Sequence, residues 1–410
     1  METNNEIKVY KYRWVVLLIL FALNVVMQIH YLAFASITGE AAKYYGVSDL
    51  QINYIALSFM LIYVIISLPT AYILNRFGLR KGLSIGAGIL GAFALLKGFY
   101  AESYSMVLFS SVLIAFAQPL IGNAATRVSA VWFPVAKRGV ITSVIFLSQF
   151  IGMLLALAVT PFIVARYEIK GMMMIYGVIT FVVTLIFMVF IREKPPTPPS
   201  LEDDNMRVNT LEGIKYFLKS RSGMIILFTF FCGMGIFNAI TTCLEQILRS
   251  RSFDYNTIGL LGGLMLFAGI FGAFIVSSLS DKVGKRKPYI IAGSLFIIPS
   301  LLLIGFATNH TVVMVACLIF GFSLLGIGPL GFQYAAEISV PAPETVSQSI
   351  LQLSGQLAGL VFVLGMNVFG DNIKLAIIIF AAMVFVAILL QTRMKESLVN
   401  SQTVNDPNSK

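Results

Sequence analysis

Apolar residues run along this chain in blocks of about twenty, and polar residues gather in short turns between them. A helix of that length spans the roughly 30 Å hydrocarbon layer of a bilayer. Twelve such blocks stand at 13–37, 51–74, 80–98, 104–126, 139–165, 171–191, 223–248, 257–280, 288–307, 311–336, 346–369 and 375–392. Ser48 with Gln51 forms a capping-box pattern at the second start. Gly82 with Gly86, and Gly259 with Gly263, set small residues four apart, a spacing that lets helices approach closely in lipid.

Two polar turns divide the pattern. One is Asn75-Arg76-Phe77-Gly78-Leu79-Arg80-Lys81, the other Asp281-Lys282-Val283-Gly284-Lys285-Arg286-Lys287. Positions 75 and 281 lie 206 residues apart, half of the 410-residue chain. A polar turn repeated at half-length points to a duplicated unit. The predicted fold is therefore an all-α membrane protein, with twelve transmembrane helices in two pseudo-symmetric six-helix bundles. The bundles are expected at 1–191 and 223–395. Between them, 192–222 reads as a cytoplasmic linker opening on Pro195, Pro196, Pro198 and Pro199 and the acids Glu202, Asp203 and Asp204. Leu211, Ile214, Phe217 and Leu218 then share one helical face, predicting a short helix on the inner leaflet. A polar tail, 396–410, is expected to be disordered.

Composition agrees with the bilayer reading: 58% hydrophobic, 12% charged, mean hydropathy +0.87. The net charge of +10 is held in turns, so nucleic acid is not an expected partner. Of 29 Lys and Arg, only Lys43, Lys97, Arg166, Lys170, Arg249, Arg251 and Lys374 fall on the side opposite the N-terminus. That bias predicts a multi-pass protein of the cell membrane with both termini cytoplasmic. Cys232, Cys243 and Cys317 sit in apolar blocks without metal-ligand spacing. His30 and His310 are the only histidines, and HExxH does not occur, so no enzyme, cofactor or metal site is expected. A monomer is expected.

Polar residues inside the blocks fall on stripes. Asn238, Thr241, Thr242 and Glu245 share one helix face in the seventh, as do Ser349, Gln352 and Gln356 in the eleventh, with Asn367 returning to that face. Asn24, Gln28 and Tyr31 align in the first, with His30 nearly opposite Gln28; Thr142 and Gln149 lie in the fifth. Any one stripe fits plain interhelical hydrogen bonding as well as it fits a ligand. Four stripes from both halves favour a shared polar cavity. The sixth, ninth and twelfth blocks carry no charge, and Lys97 near the outer end of the third can snorkel, so these four suit lipid. Glu245 is the candidate for proton coupling. Glu337, with Arg286 or Lys285 as partner, and Arg127 are read as structural or gating contacts at the inner ends, together with Asn75, Arg76, Arg80 and Asp281.

The second turn resembles the loop between helices 2 and 3 of each half in the major facilitator superfamily, roughly G-x-x-x-D-R-x-G-R-R; Asn75 and Leu79 depart from it in the first. Gly328-Pro329-Leu330-Gly331-Phe332-Gln333-Tyr334-Ala335-Ala336-Glu337, then Pro341 and Gln356-Leu357-Ala358-Gly359, is similar to the feline leukaemia virus subgroup C receptor family, as is Arg127-Val128-Ser129-Ala130-Val131-Trp132-Phe133. The resemblance implies a transporter of choline and ethanolamine, haem export and pyridoxine uptake being also associated with the family. It implies Gln149 and Gln356 as pocket glutamines. The family's two cage aromatics are matched here by Gln28 and Asn238. Amides offer no aromatic face to a quaternary ammonium. The expected function is thus a secondary transporter moving a small polar organic solute, an amine or zwitterion, by alternating access. The substrate set is Gln28, Tyr31, Gln149, Asn238, Thr242, Glu245, Gln352 and Gln356. The alternatives are a choline/ethanolamine facilitator, a haem-type exporter, or a receptor that binds without transport.

Overall fold

The computed structural model describes residues 10–122, 124–197, 210–251, 253–339, 344–369 and 372–396, without the side chains of 68, 71–77, 126, 135–136, 211–213 and 344–346. The side chains of Asn75, Arg76 and Leu211 therefore lie outside the described ones, as do Pro198, Pro199, Glu202, Asp203, Asp204, Pro341 and the tail beyond 396. The chain divides into two compact units, Met1–Asn205 and Met206–Lys410. Every regular element among the described residues is helical.

The first unit holds α1 (Arg13–Leu32), α2 (Thr38–Tyr45), α3 (Asp49–Phe77), α4 (Leu79–Phe99), α5 (Tyr104–Gly122), α6 (Ala124–Trp132) and α7 (Val135–Phe190). At 1.5 Å per residue α7 would run roughly 80 Å, far beyond one bilayer crossing. It breaks at Glu168, where φ is 58° and ψ 178°. Its arms, 135–167 and 169–190, each cross once. Eleven described helices are long and apolar enough to span a membrane, with α7 counted once; the break raises the crossings to twelve.

The second unit holds α8 (Thr210–Lys219), α9 (Arg221–Arg249), α10 (Tyr255–Val283), α11 (Lys287–Phe306), α12 (His310–Ile338), α13 (Glu344–Val368) and α14 (Ile373–Gln391). Each unit repeats one internal packing scheme. In the first, α1 and α4 pack on α7, and α3 and α4 on α5. In the second, α9 packs on α13, α11 on α14, and α10 and α11 on α12. The six-crossing motif is thus built twice.

Local chemistry explains the boundaries. Ser48 accepts from the Gln51 N–H while Gln51 accepts from the Ser48 N–H, so α3 starts on the capping box. The first block ends earlier than its apolar pattern: α1 stops at Leu32, and a turn leads into α2, closed by Gly46 with φ 64°. In α10 close approaches to α12 lie beyond Gly259 and Gly263, at Gly269 and Gly272; a Cβ at Gly272 would overlap the Phe322 carbonyl, and one at Gly321 of α12 the Met265 carbonyl of α10. The short helix α8 departs from a purely interfacial reading. Phe217 is buried in a core with Ile226, Phe230, Leu330 and Tyr334 of the second unit, whereas Leu218 is exposed.

Candidate functional site

In the first unit, α1 and α7 approach backbone to backbone at Gly152. A Cβ there would clash with the Val25 carbonyl and the Gln28 Cβ. That closeness brings Gln28 Nε2 to donate to Gln149 Oε1 at 3.2 Å. Gln28 is buried, and its own Oε1 has no hydrogen-bond partner. Tyr31, one turn on, packs against Phe59 with ring centroids 5.6 Å apart. His30 leaves on another face and pairs with Thr180 Oγ1 at 2.9 Å. Asn24 is spent on the Leu20 carbonyl, and Thr142 donates to Ser129.

The second unit repeats the arrangement with different side chains. A Cβ at Gly355 of α13 would press on Met234 of α9, and Asn238 Nδ2 donates to the Gly355 carbonyl at 3.4 Å. Thr242 Oγ1 is buried without a hydrogen-bond partner. Glu245 is buried, and Arg249 stands 3.6 Å from its Oε1. Thr241 turns back to its own helix, and Gln246 reaches Asn367. Gln352 and Gln356 are half-buried and make no hydrogen bond among the described residues.

One signal in the sequence carried this duplication and escaped the pattern reading. Gln149-x-x-Gly152 recurs 203 positions later as Gln352-x-x-Gly355. In both copies the glycine lets the partner helix close in; in the first the glutamine then meets the partner's amide, and in the second the partner's amide Asn238 meets the glycine carbonyl instead.

At the polar turns, Arg286 is buried. It donates to Ser280 and Glu337 and pairs with Asp281. The Lys285 side chain is exposed, while its carbonyl accepts from Ser280 Oγ at 2.7 Å. Glu396, absent from the expected set, accepts from the Arg286 and Lys287 N–H groups at 2.8 and 3.1 Å. Glu193 does the same for Leu79 and Arg80, both at 2.7 Å. The Arg80 side chain is exposed, and Arg127 is half-buried.

Two expectations are corrected. Lys97 does not snorkel: it is 2% exposed, its Nζ lacks a hydrogen-bond partner and lies 5.3 Å from the Phe34 ring centroid. Tight packing closes its way out, since the Gly98 and Gly177 contacts hold α4 against the second arm of α7. The twelfth block also hides an amide: Gln391 of α14 is fully buried and donates to Thr229 and Ser294.

Twelve apolar crossings in two like-built units, with amides on their buried faces, define a polytopic helical membrane carrier. The model of the Major Facilitator Superfamily matches residues 14–363 and 223–402, and the chain belongs to that superfamily. It is a secondary transporter of a small organic solute, not an enzyme. Among relatives, "Solute carrier family 49 member A3" of Xenopus tropicalis is 29% identical over 88% of this chain and 78% of its own length. "Choline/ethanolamine transporter FLVCR2" of Homo sapiens is 26% identical over 90% of this chain and 74% of its own. These relatives place the chain's resemblance in the feline leukaemia virus subgroup C receptor family. A solved bacterial homologue of the lysosomal transporter Spinster superposes with TM-score 0.79 at 15% identity, covering 94% of this chain and 98% of that one, a likeness of fold.

Proposed function

We propose that the solute is a small hydrogen-bonding amine or zwitterion; the candidate contact residues are Gln28, Tyr31 and Gln149 in the first unit, and Asn238, Thr242, Glu245, Gln352 and Gln356 in the second. One observation carries this reading: Gln28 Oε1, whose amide meets Gln149 of the neighbouring helix, and Thr242 Oγ1, on the stripe that also bears Asn238 and Glu245, are buried polar atoms without a hydrogen-bond partner among the described residues. A buried polar atom left unpaired costs about 1–3 kcal/mol. A solute that donates to such atoms recovers that cost, whereas a quaternary ammonium group has no N–H to donate. Glu245 supplies the negative charge that an amine needs, although Arg249 already offsets part of it.

The relatives' printed substrates, choline and ethanolamine, share an ammonium group and differ in hydrogen-bonding capacity. Ethanolamine suits the amide-lined stripes; choline suits an aromatic cage, for which Tyr31 and Phe59 are the nearest material. Uptake follows alternating access in the cell membrane, with both termini in the cytoplasm, in keeping with the charge bias of the turns. Protons are a candidate coupling ion through Glu245. The protein works as a monomer on this reading.

Uptake of radiolabelled ethanolamine into proteoliposomes, with choline as competitor, tests the substrate class. Ethanolamine is expected to be taken up and to compete better than choline. Gln356→Ala should weaken ethanolamine binding about tenfold, and Glu245→Gln should weaken amines while sparing neutral solutes. Choline outcompeting ethanolamine, with Glu245→Gln inert, would assign the chain the quaternary-ammonium specificity instead.

A further inference from the structure

A groove of about 480 Å³ lies in the second unit among α10, α11 and α12, and it contains none of the proposed solute residues. Ala268, Val276, Tyr289, Ala292, Phe296 and Ile327 line it. Helices α10 and α11 form its walls and each packs on α12, which forms its floor. Gly293 sets the depth: a Cβ there would collide with Ile327, so α11 lies close on α12. Phe296 of the lining is more than half exposed, and Phe271 and Phe274 elsewhere on α10 are each at least half exposed. In a bilayer such a surface faces acyl chains.

The placement along the membrane is specific. Tyr289 is the third residue of α11 and Phe296 stands in its middle. Along α11 the lining thus begins beside the polar turn and runs roughly 10 Å, whereas along α10 it runs from Val276, about 10 Å from the turn, to Ala268, about 22 Å from it, so the groove reaches from the turn side to the midplane region. The turn 284–286 connects the two walls across that end, turned by Gly284 at φ 69°. Of its cations, Arg286 points inward to Asp281 and Glu337, and Lys287 Nζ donates to the Thr392 carbonyl. Lys282 and Lys285 are exposed and form no ion pair among the described residues. Two exposed ammonium groups without ion pairs among the described residues thus stand on the polar turn region that joins the groove's two walls, close in sequence to the one phenol of its lining, Tyr289.

We propose that this groove binds one anionic phospholipid of the leaflet on the side of the polar turns, an acyl chain along α12 and the phosphate against Lys282 and Lys285. The length and apolarity of the groove account for the chain. The unpaired lysines account for the choice of headgroup charge. A site so placed ties α10, α11 and their turn together from the lipid side, and couples the setting of Arg286 to the composition of the membrane.

Native mass spectrometry of the purified full-length protein decides it, with dioleoylphosphatidylglycerol and dioleoylphosphatidylcholine as probes. Retention of phosphatidylglycerol is expected to exceed that of phosphatidylcholine roughly tenfold, the effect of two lysines near a headgroup. Lys282→Gln with Lys285→Gln should bring the two lipids near parity. Ala292→Trp, at an exposed groove position, should abolish retention of both; Ala292→Leu serves if the larger side chain prevents folding. Equal retention of the two lipids by the unaltered protein, or undiminished retention in a folded Ala292 variant, would overturn the proposal.

Discussion

Glu193 and Glu396 occupy equivalent places in the two units: each follows the last crossing of its unit and receives two backbone N–H groups at the start of the third. Those N–H groups have no partner within their helix, and the helix dipole adds a positive field there. Gly78 leaves the space, since a Cβ on it would stand 2.6 Å from Glu193 Oε1. Glu396→Ala should lower stability by about 1–2 kcal/mol, the usual worth of a helix cap. Glu193→Ala should act alike. Thermal melts in detergent measure both, and an unchanged midpoint for either would show that the carboxylate contributes no capping.

Arg286 is the buried hub of the second turn, with Glu337 11% exposed and Asp281 57% exposed at the side chain. Removing one partner of a buried pair leaves a charge uncompensated. Arg286→Met should therefore cost about 3–5 kcal/mol, and adding Glu337→Met should recover part of it. Asp281→Ala should cost less than about 1 kcal/mol, because that carboxylate is solvated. It should still slow uptake while leaving solute binding intact, since charge contacts at helix ends differ between transport states. Normal uptake by well-expressed Asp281→Ala would count against a role in the transport cycle.

Lys97 has a buried amine with no hydrogen-bond partner among the described residues, and it faces the Phe34 ring. Replacing such a group by an apolar one of similar length removes a desolvation cost. Lys97→Met is expected to raise the melting temperature, by about 1–2 kcal/mol of stability. A lowered melting temperature would mean that the amine has a partner, such as a bound anion.

Glu168 is the one non-glycine residue with positive φ among those described, in a region of the backbone map that only glycine adopts freely. It forms the break that turns α7 back across the membrane. Glu168→Gly should stabilise the protein by about 1 kcal/mol, because strain relief exceeds the added freedom of the unfolded chain. Loss of stability would instead assign the Glu168 side chain a tie to the turn.

Twelve crossings, the duplication and the polar stripes were written in the sequence, because lipid demands about twenty apolar residues per helix and tolerates amides only on faces turned to protein or water. Gln28, Asn238 and Gln356 could be chosen for that reason. The closure of Gln28 on Gln149 could not be, since it depends on Gly152 admitting α1 to backbone contact. Lys97 shows the limit most directly. Hydropathy places it near a membrane surface where a flexible lysine reaches water, and only the packing of Gly98 and Gly177 against their neighbours closes that route. Glu193 and Glu396 read as ordinary charges after a last apolar block. Their role arises because folding brings the end of the sixth crossing of each unit beside the start of its third, more than a hundred residues earlier in the chain.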